Sequence, residues 1–243
     1  MAHQSNVSQD FDPKKFFTKA RKIYIEDPLK ALGFKRYKSS VVARVTKGNI
    51  LQFLAFQKAA YGGQSFTVNV AIRPLFSLNN EYLTLMPGNR LGLMSTEIKN
   101  DIWWTYATER ETKQSFEDIF TRLENYALPF FNNTTTSNDI IGFYEKDVLS
   151  KTRCDSKIDW GTSGWKDFDL GHIYLHSGEI KKASMHFNDC FSEFSKDNRE
   201  WAQTASKKCL EIKEIIKLGQ SEIDKYLFDT INDSKLKLKL TGW

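Results

Sequence analysis

Ser65-Phe66-Thr67-Val68-Asn69-Val70-Ala71-Ile72-Arg73-Pro74 is the stretch on which the fold turns. Phe66, Val68, Val70 and Ile72 occupy one parity, and Thr67, Asn69, Ala71 and Arg73 the other. A strict period of two predicts a strand with one buried face. Pro74 has no backbone N–H to give a neighbouring strand and closes the run. Just upstream, Val41–Thr46 is rich in β-branched residues, Lys47-Gly48-Asn49 is a turn signal, and Ile50–Gln57 is a second strand candidate, so the three read as a hairpin. Gly62-Gly63 marks the next connection. Downstream, Tyr82–Met86 is a weaker strand closed by Pro87-Gly88, and Ile102–Tyr106 is a short aromatic one. Such short connections make an antiparallel sheet of four to five strands.

Helical spacing flanks this block. Phe16, Phe17, Ala20, Ile23 and Tyr24 recur at three- and four-residue steps behind Asp12-Pro13, a capping residue and a good first-turn residue. Pro28 opens a second short helical turn, which Gly33 ends. Phe116, Ile119, Phe120, Leu123 and Tyr126 form one stripe over Lys113–Ala127. Ser115 and Asp118 stand in the pattern of a capping box, and Pro129 is expected to end the helix. The polar tract Asn132–Asn138 offers nothing to bury and suggests a linker. A boundary near residue 135 divides an α+β domain, 1–135, from a helical region, 136–243. In the latter, Trp165–Leu175, Ile180–Phe194, Arg199–Leu218 and Ser221–Ile231 have helical apolar spacing. Leu236, Leu238 and Leu240 alternate with lysines, as in a short edge strand or a frayed tail.

Composition narrows the class. Aromatic residues make up 14% of the chain, with 18 Phe and 6 Trp, so a substantial core is available. No apolar run approaches the ~20 residues of a membrane span, and Met1–Asp12 is polar, so the expectation is a cytoplasmic protein without a membrane partner. Cys154, Cys190 and Cys209 lack metal-knuckle or redox spacing and read as reduced structural thiols. The net charge is +8 over residues 1–60 and −3 over the rest. Lys14, Lys19, Lys22, Lys35, Arg36 and Lys38 carry much of this basic quarter, which suits an acidic partner surface or, alternatively, nucleic-acid phosphates.

Two resemblances follow from particular residues. Pro28-Leu29-Lys30, Leu32-Gly33-Phe34-Lys35, Phe56-Gln57, Phe66-Thr67-Val68-Asn69, Arg90-Leu91-Gly92, Trp103-Trp104 and Leu128-Pro129-Phe130-Phe131 together resemble the DUF4304 family over roughly residues 14–131. The resemblance implies a bacterial α+β protein and brings no assigned reaction; families of this general kind include immunity partners of bacterial toxins. Leu170, Gly171, Tyr174, Gly178, Ala183, Phe187 and Cys190 resemble one tetratricopeptide repeat, at about residues 164–197. The repeat's usual first aromatic would fall on Asp167 and its closing proline near Ser195. A single repeat implies a neighbour to pack on, here Arg199–Leu218.

The motifs of catalysis are missing. There is no Gly-x-Ser-x-Gly elbow, no phosphate-binding glycine loop and no dinucleotide fingerprint. Thr162-Ser163-Gly164 has no evident base beside it. His172 and His176 share a helical face, but zinc needs further ligands and His186 is the only other nearby imidazole, so neither metal nor cofactor is expected. What remains is surface. With Phe66, Val68, Val70 and Ile72 turned to the helices, Thr67, Asn69 and Arg73 face away. Gln52 and Gln57 have opposite parity and join that face together only through a bulge. Trp103 and Trp104 point to opposite sides, so one leaves the core face. Arg44, Gln57, Asn69, Arg73, Arg90, Trp103 and Trp104 are therefore the candidate recognition residues. These observations point first to a non-catalytic protein-binding module, such as an immunity or inhibitor protein. The alternatives are nucleic-acid binding through the basic residues, or an enzyme with a dispersed site around Arg44, Asn69, Arg73 and Arg90.

Overall fold

The computed structural model describes residues 11–60, 63–77, 87–95, 100–149, 158–240 and 242–243; Gly62, the expected strand Tyr82–Met86 and Cys154 lie outside them. Asp12 starts the first helix by accepting from the backbone N–H of Lys14 and Lys15. Helix α1 (Pro13–Arg21) runs into a π-helical turn, Lys22–Glu26, then α2 (Asp27–Leu29) and a 3-10 turn, Lys30–Leu32, that Gly33 ends at φ 83°. The wider turn just ahead of Pro28 takes up the hydrogen bond that proline cannot make. The same device recurs at Pro129. Helix α3 (Glu109–Arg122) continues through a π-helical turn, Leu123–Ala127, into α4 (Leu128–Asn132). Pro129 therefore sits inside the helical path and does not end it. Nor do Ser115 and Asp118 cap α3. Its cap is Thr108, whose hydroxyl accepts from the Glu111 backbone N–H and donates to the Glu111 carboxylate. Ser115 instead donates to the carbonyl of Thr105.

The sheet is antiparallel and six-stranded: β1 (Lys35–Lys38), β2 (Val41–Val45), β3 (Ile50–Lys58), β4 (Ser65–Pro74) and β5 (Gly88–Arg90) in that order, with β6 (Trp104–Thr105) also on β4. Asn49, at φ 58°, makes the tight turn between β2 and β3. β3 and β4 pair without interruption from Ile50↔Pro74 to Lys58↔Phe66. On the inner face Phe66 meets Phe17 of α1 at 4.8 Å and Phe116 of α3 at 5.5 Å between ring centres. These rings, with Phe56, Val68, Val70 and Ile72, belong to a buried core that continues into the helical region through Phe168, Ile173, Phe187 and Ile212. Edge strand β1 is exposed and carries lysine and arginine, side chains that discourage pairing with another chain's strand.

The tract read as a linker is instead a bonded corner. Thr134 and Ser137 are buried. Gln52 donates to the carbonyls of Phe131 and Thr134, and Thr46 to that of Thr135. Thr136 and Asp139 then exchange backbone-to-side-chain bonds, 2.9 and 3.2 Å, as the capping box of α5 (Ser137–Leu149).

Helices α6 (Ser163–His176), α7 (Ile180–Phe194), α8 (Glu200–Leu218) and α9 (Gln220–Lys237) each pack on the next. Gly171 lets the Phe187 ring approach: a Cβ there would lie 2.7 Å from it. The residues after α9 form neither an edge strand nor a frayed tail. Lys239, at φ 55°, and Leu240 donate to the carbonyls of Leu236 and Lys235, which is a Schellman stop. Leu238 and Leu240 are buried against Val41, Ala43, Leu51, Phe53 and Ala71 on the outer face of the sheet. Tyr37 donates to the Leu238 carbonyl, and Trp243 packs edge-on against Tyr37 with Lys35 over its ring. Among the described residues, no helix is long and apolar enough to cross a membrane.

Candidate functional site

The strand register sorts the candidate residues by face. Residues paired across β3 and β4 share a face, so Gln57, opposite Thr67, and Asn69, opposite Ala55, lie on the outer one, with Arg90 opposite Asn69. Gln52 sits opposite Ile72 and Arg44 opposite Gln52, which puts both on the inner, helix-facing side. The uninterrupted register leaves Gln52 and Gln57 on opposite faces. Arg44 is spent on structure: it donates to Gln52 Oε1 at 2.7 Å and to the Leu32 carbonyl at 2.8 Å, and lies over the Phe34 ring. Burial lowers its pKa from the usual guanidinium value.

Arg73 shares the outer parity but is only 2% exposed. It adjoins Asp169 of α6 and Tyr37, and burial depresses its pKa against the favourable pull of both. Asp169 accepts from Ser77 at 2.5 Å. Burial pushes the Asp169 carboxyl up to about 6, against the opposing effects of that hydroxyl and of Arg73. Arg73 therefore joins the sheet to α6 and offers no open surface.

Four of the seven candidates form a connected outer cluster. Asn69, 4% exposed, donates to Gln57 Oε1 at 3.1 Å. Its register partner Arg90 is ion-paired with Asp101 and lies 5.3 Å from the centre of the Trp103 ring. Trp103 keeps 43% of its surface exposed, whereas Trp104 turns inward at 5% and donates its indole N–H to Asp118 at 2.8 Å. Trp103 is thus a large ring held from behind by a cation that is itself held by a carboxylate. Two buried polar atoms of this region, Thr67 Oγ1 and Asp101 Oδ1, have no hydrogen-bond partner among the described residues.

The basic residues divide between two elements. Lys14, Lys19 and Lys22 are exposed on α1 and the π-helical turn that continues it, and Lys35, Arg36 and Lys38 on β1. Lys35 and Lys38 lie over the rings of Trp243 and Tyr37. Lys58, near α1, has its pKa lowered by burial and then by the charges of Lys14 and Arg21.

The residues considered for chemistry are otherwise engaged. His172 is fully buried: its ring nitrogens lie 2.8 Å from the Phe168 carbonyl and 3.0 Å from the Tyr226 hydroxyl. Burial lowers its pKa to about 4. His176 stacks on Phe76 and bonds Ser137. Ser163 opens α6 and donates to Glu193, a carboxylate on the neighbouring helix. A cleft of about 560 Å³ at α4 and α5 is lined by asparagines, Phe143, Lys146 and Asp139, the last already capping α5. Sequence spacing missed two clusters. Cys190 and Cys209, 19 positions apart, bring their sulfurs to 3.3 Å inside the α7–α8 contact; their mutual contact and then burial raise the Cys190 thiol pKa. Asp167, His186 and Asp189 gather donor atoms between α6 and α7. Among the described residues this is the only such group of metal-type donors.

A search of curated proteins and a search of solved structures each found no match. Residues 25–133 match a family model described as "Domain of unknown function (DUF4304)", a span that runs from the end of α1's helical path through the sheet to α4. The matched span, a little under half of the chain, holds the sheet, α3, α4 and the cluster around Trp103, and over these residues the chain is similar to the DUF4304 family.

Proposed function

We propose that the chain is a non-catalytic protein-binding module that docks an acidic partner at the outer face of its sheet, in the manner of an immunity or inhibitor protein of a bacterial toxin system. The observation that carries this reading is Trp103, a partly exposed indole backed by the Arg90–Asp101 pair. Interface anchors are enriched in tryptophan and arginine, and a ring already fixed loses little freedom on binding. Gln57 extends the same surface with an exposed amide. The basic N-terminal quarter supplies long-range attraction for an acidic partner.

The test is affinity capture of the tagged full chain from its native cells beside Trp103→Ala. One protein is expected to co-purify in equal amount with the wild type, and its affinity is expected to fall at least about tenfold for the variant, roughly 1.4 kcal/mol. Solitary elution of the wild-type chain overturns the reading. So does salt-sensitive binding to DNA or RNA that Trp103→Ala leaves unchanged, because the site would then be the lysines of α1 and β1.

A further inference from the structure

We propose that Asp167, His186 and Asp189 form a binding site for one divalent transition-metal ion of the zinc class, set between α6 and α7. Their donor atoms all lie within 4.8 Å of one another. Nδ1 of His186 and Oδ1 of Asp167 are 2.9 Å apart, a hydrogen-bond distance, and need to separate by only about 0.4–0.7 Å to take neighbouring positions around a tetrahedral ion with bonds of about 2.0–2.2 Å. Asp189 lies one helical turn beyond His186, so both project from the same face of α7. The imidazole is held in place before any ion arrives: its ring lies parallel to Tyr174, at 5.2 Å and 5°. The Tyr174 hydroxyl in turn donates to Glu145 of α5 at 3.2 Å.

Charge supplies the second line of argument. The side chains of His186 and Asp167 are only 12% and 15% exposed. Among the described residues neither carboxylate has a lysine or arginine within ion-pair distance, and His186 pairs with Asp167. Asp167, held largely out of water, favours a nearby cation, and a divalent ion engages the exposed carboxylate of Asp189 at the same time. One imidazole with two carboxylates suits zinc, manganese or ferrous iron. Calcium and magnesium prefer all-oxygen sites. Three protein donors leave at least one position on the ion for water or for a partner's side chain.

The experiment titrates Zn²⁺ into chelator-stripped full chain by calorimetry, with Co²⁺ as an optical probe of the donors. One ion per chain is expected, with a cobalt spectrum free of thiolate charge transfer. Asp189→Asn is expected to weaken binding at least tenfold while leaving the circular dichroism unchanged. Asp189 is exposed, so this variant isolates the donor from the fold; His186→Ala is the confirming variant. The proposal is overturned by absence of binding, by an affinity that neither substitution alters, or by a thiolate band, which would assign the metal to the cysteines.

Discussion

Gln52 of β3 donates its side-chain amide to the carbonyls of Phe131 and Thr134, at 2.6 and 3.0 Å, across about 80 residues of chain. The same side chain accepts from Arg44. One buried glutamine thus fastens the middle of the sheet to the corner between α4 and α5. Gln52→Ala is expected to cost about 1–3 kcal/mol, because it leaves buried groups short of partners. Urea denaturation measures this; a change below about 0.5 kcal/mol would show that water or neighbouring groups replace the amide.

The stop after α9 makes a pair of opposite predictions. Lys239 holds a left-handed conformation that costs a non-glycine residue about 1–2 kcal/mol, so Lys239→Gly is expected to stabilise by roughly 0.5–1 kcal/mol after the extra freedom of the unfolded glycine is counted. Leu240→Ala opens a cavity on the outer face and is expected to cost about 2–4 kcal/mol. Thermal unfolding should move up for the first and down for the second. Movement in the same direction would mean that the tail does not hold this position in solution.

Two helical glycines should behave in contrary ways. A methyl group at Gly171 meets the Phe187 ring at 2.7 Å, whereas one at Gly142 in α5 meets nothing within 4 Å. Gly171→Ala is expected to destabilise by about 1–3 kcal/mol through overpacking. Gly142→Ala should gain roughly 0.5–1 kcal/mol from helix propensity alone. Equal midpoints for the two variants would contradict the close α6–α7 packing.

Acid stability depends on buried His172 and half-buried Asp169, which act with opposite signs. His172 has a folded pKa of about 4 against 6.5 unfolded, so the unfolded chain takes up the proton first and stability falls as pH drops from about 6.5 toward 4. The full loss is on the order of 3 kcal/mol. Asp169, raised to about 6 from 3.8, works in reverse: its contribution is present below about 3.8 and is lost as pH rises through 6. Between pH 4 and 6 the two nearly offset. His172→Gln should remove the acid loss, and Asp169→Asn should steepen it. Unfolding midpoints measured across pH 4–7 for the three chains test this, and parallel curves would refute it.

Where one periodicity dominates, the fold was legible: β4, the β2–β3 hairpin, α1, and the apolar stripes of α3 and α6–α9 stand where the spacing places them. Where a residue type has two uses, it was not. Proline normally stops a helix, and nothing around Pro28 or Pro129 announces the wider turn that admits it. Asparagine and threonine normally mark loops, yet Thr136 with Asp139, just ahead of Ile140-Ile141, is a capping box that could have revealed α5. β1 is too charged and short to show an alternation. For the candidate surface, period two separates Trp103 from Trp104. It cannot put Arg44 behind the sheet, because that depends on the register across a turn. The 3.3 Å approach of Cys190 to Cys209, and the gathering of Asp167 with His186, arise from helix packing that linear spacing does not encode.

The clasp of Leu238 and Leu240 on the sheet has a consequence for biosynthesis. The strands leave the ribosome long before those two leucines exist, so the strip of Val41, Leu51 and Phe53 stays wet and adhesive through most of translation. Any shortened product ending before residue 238 inherits that sticky strip permanently.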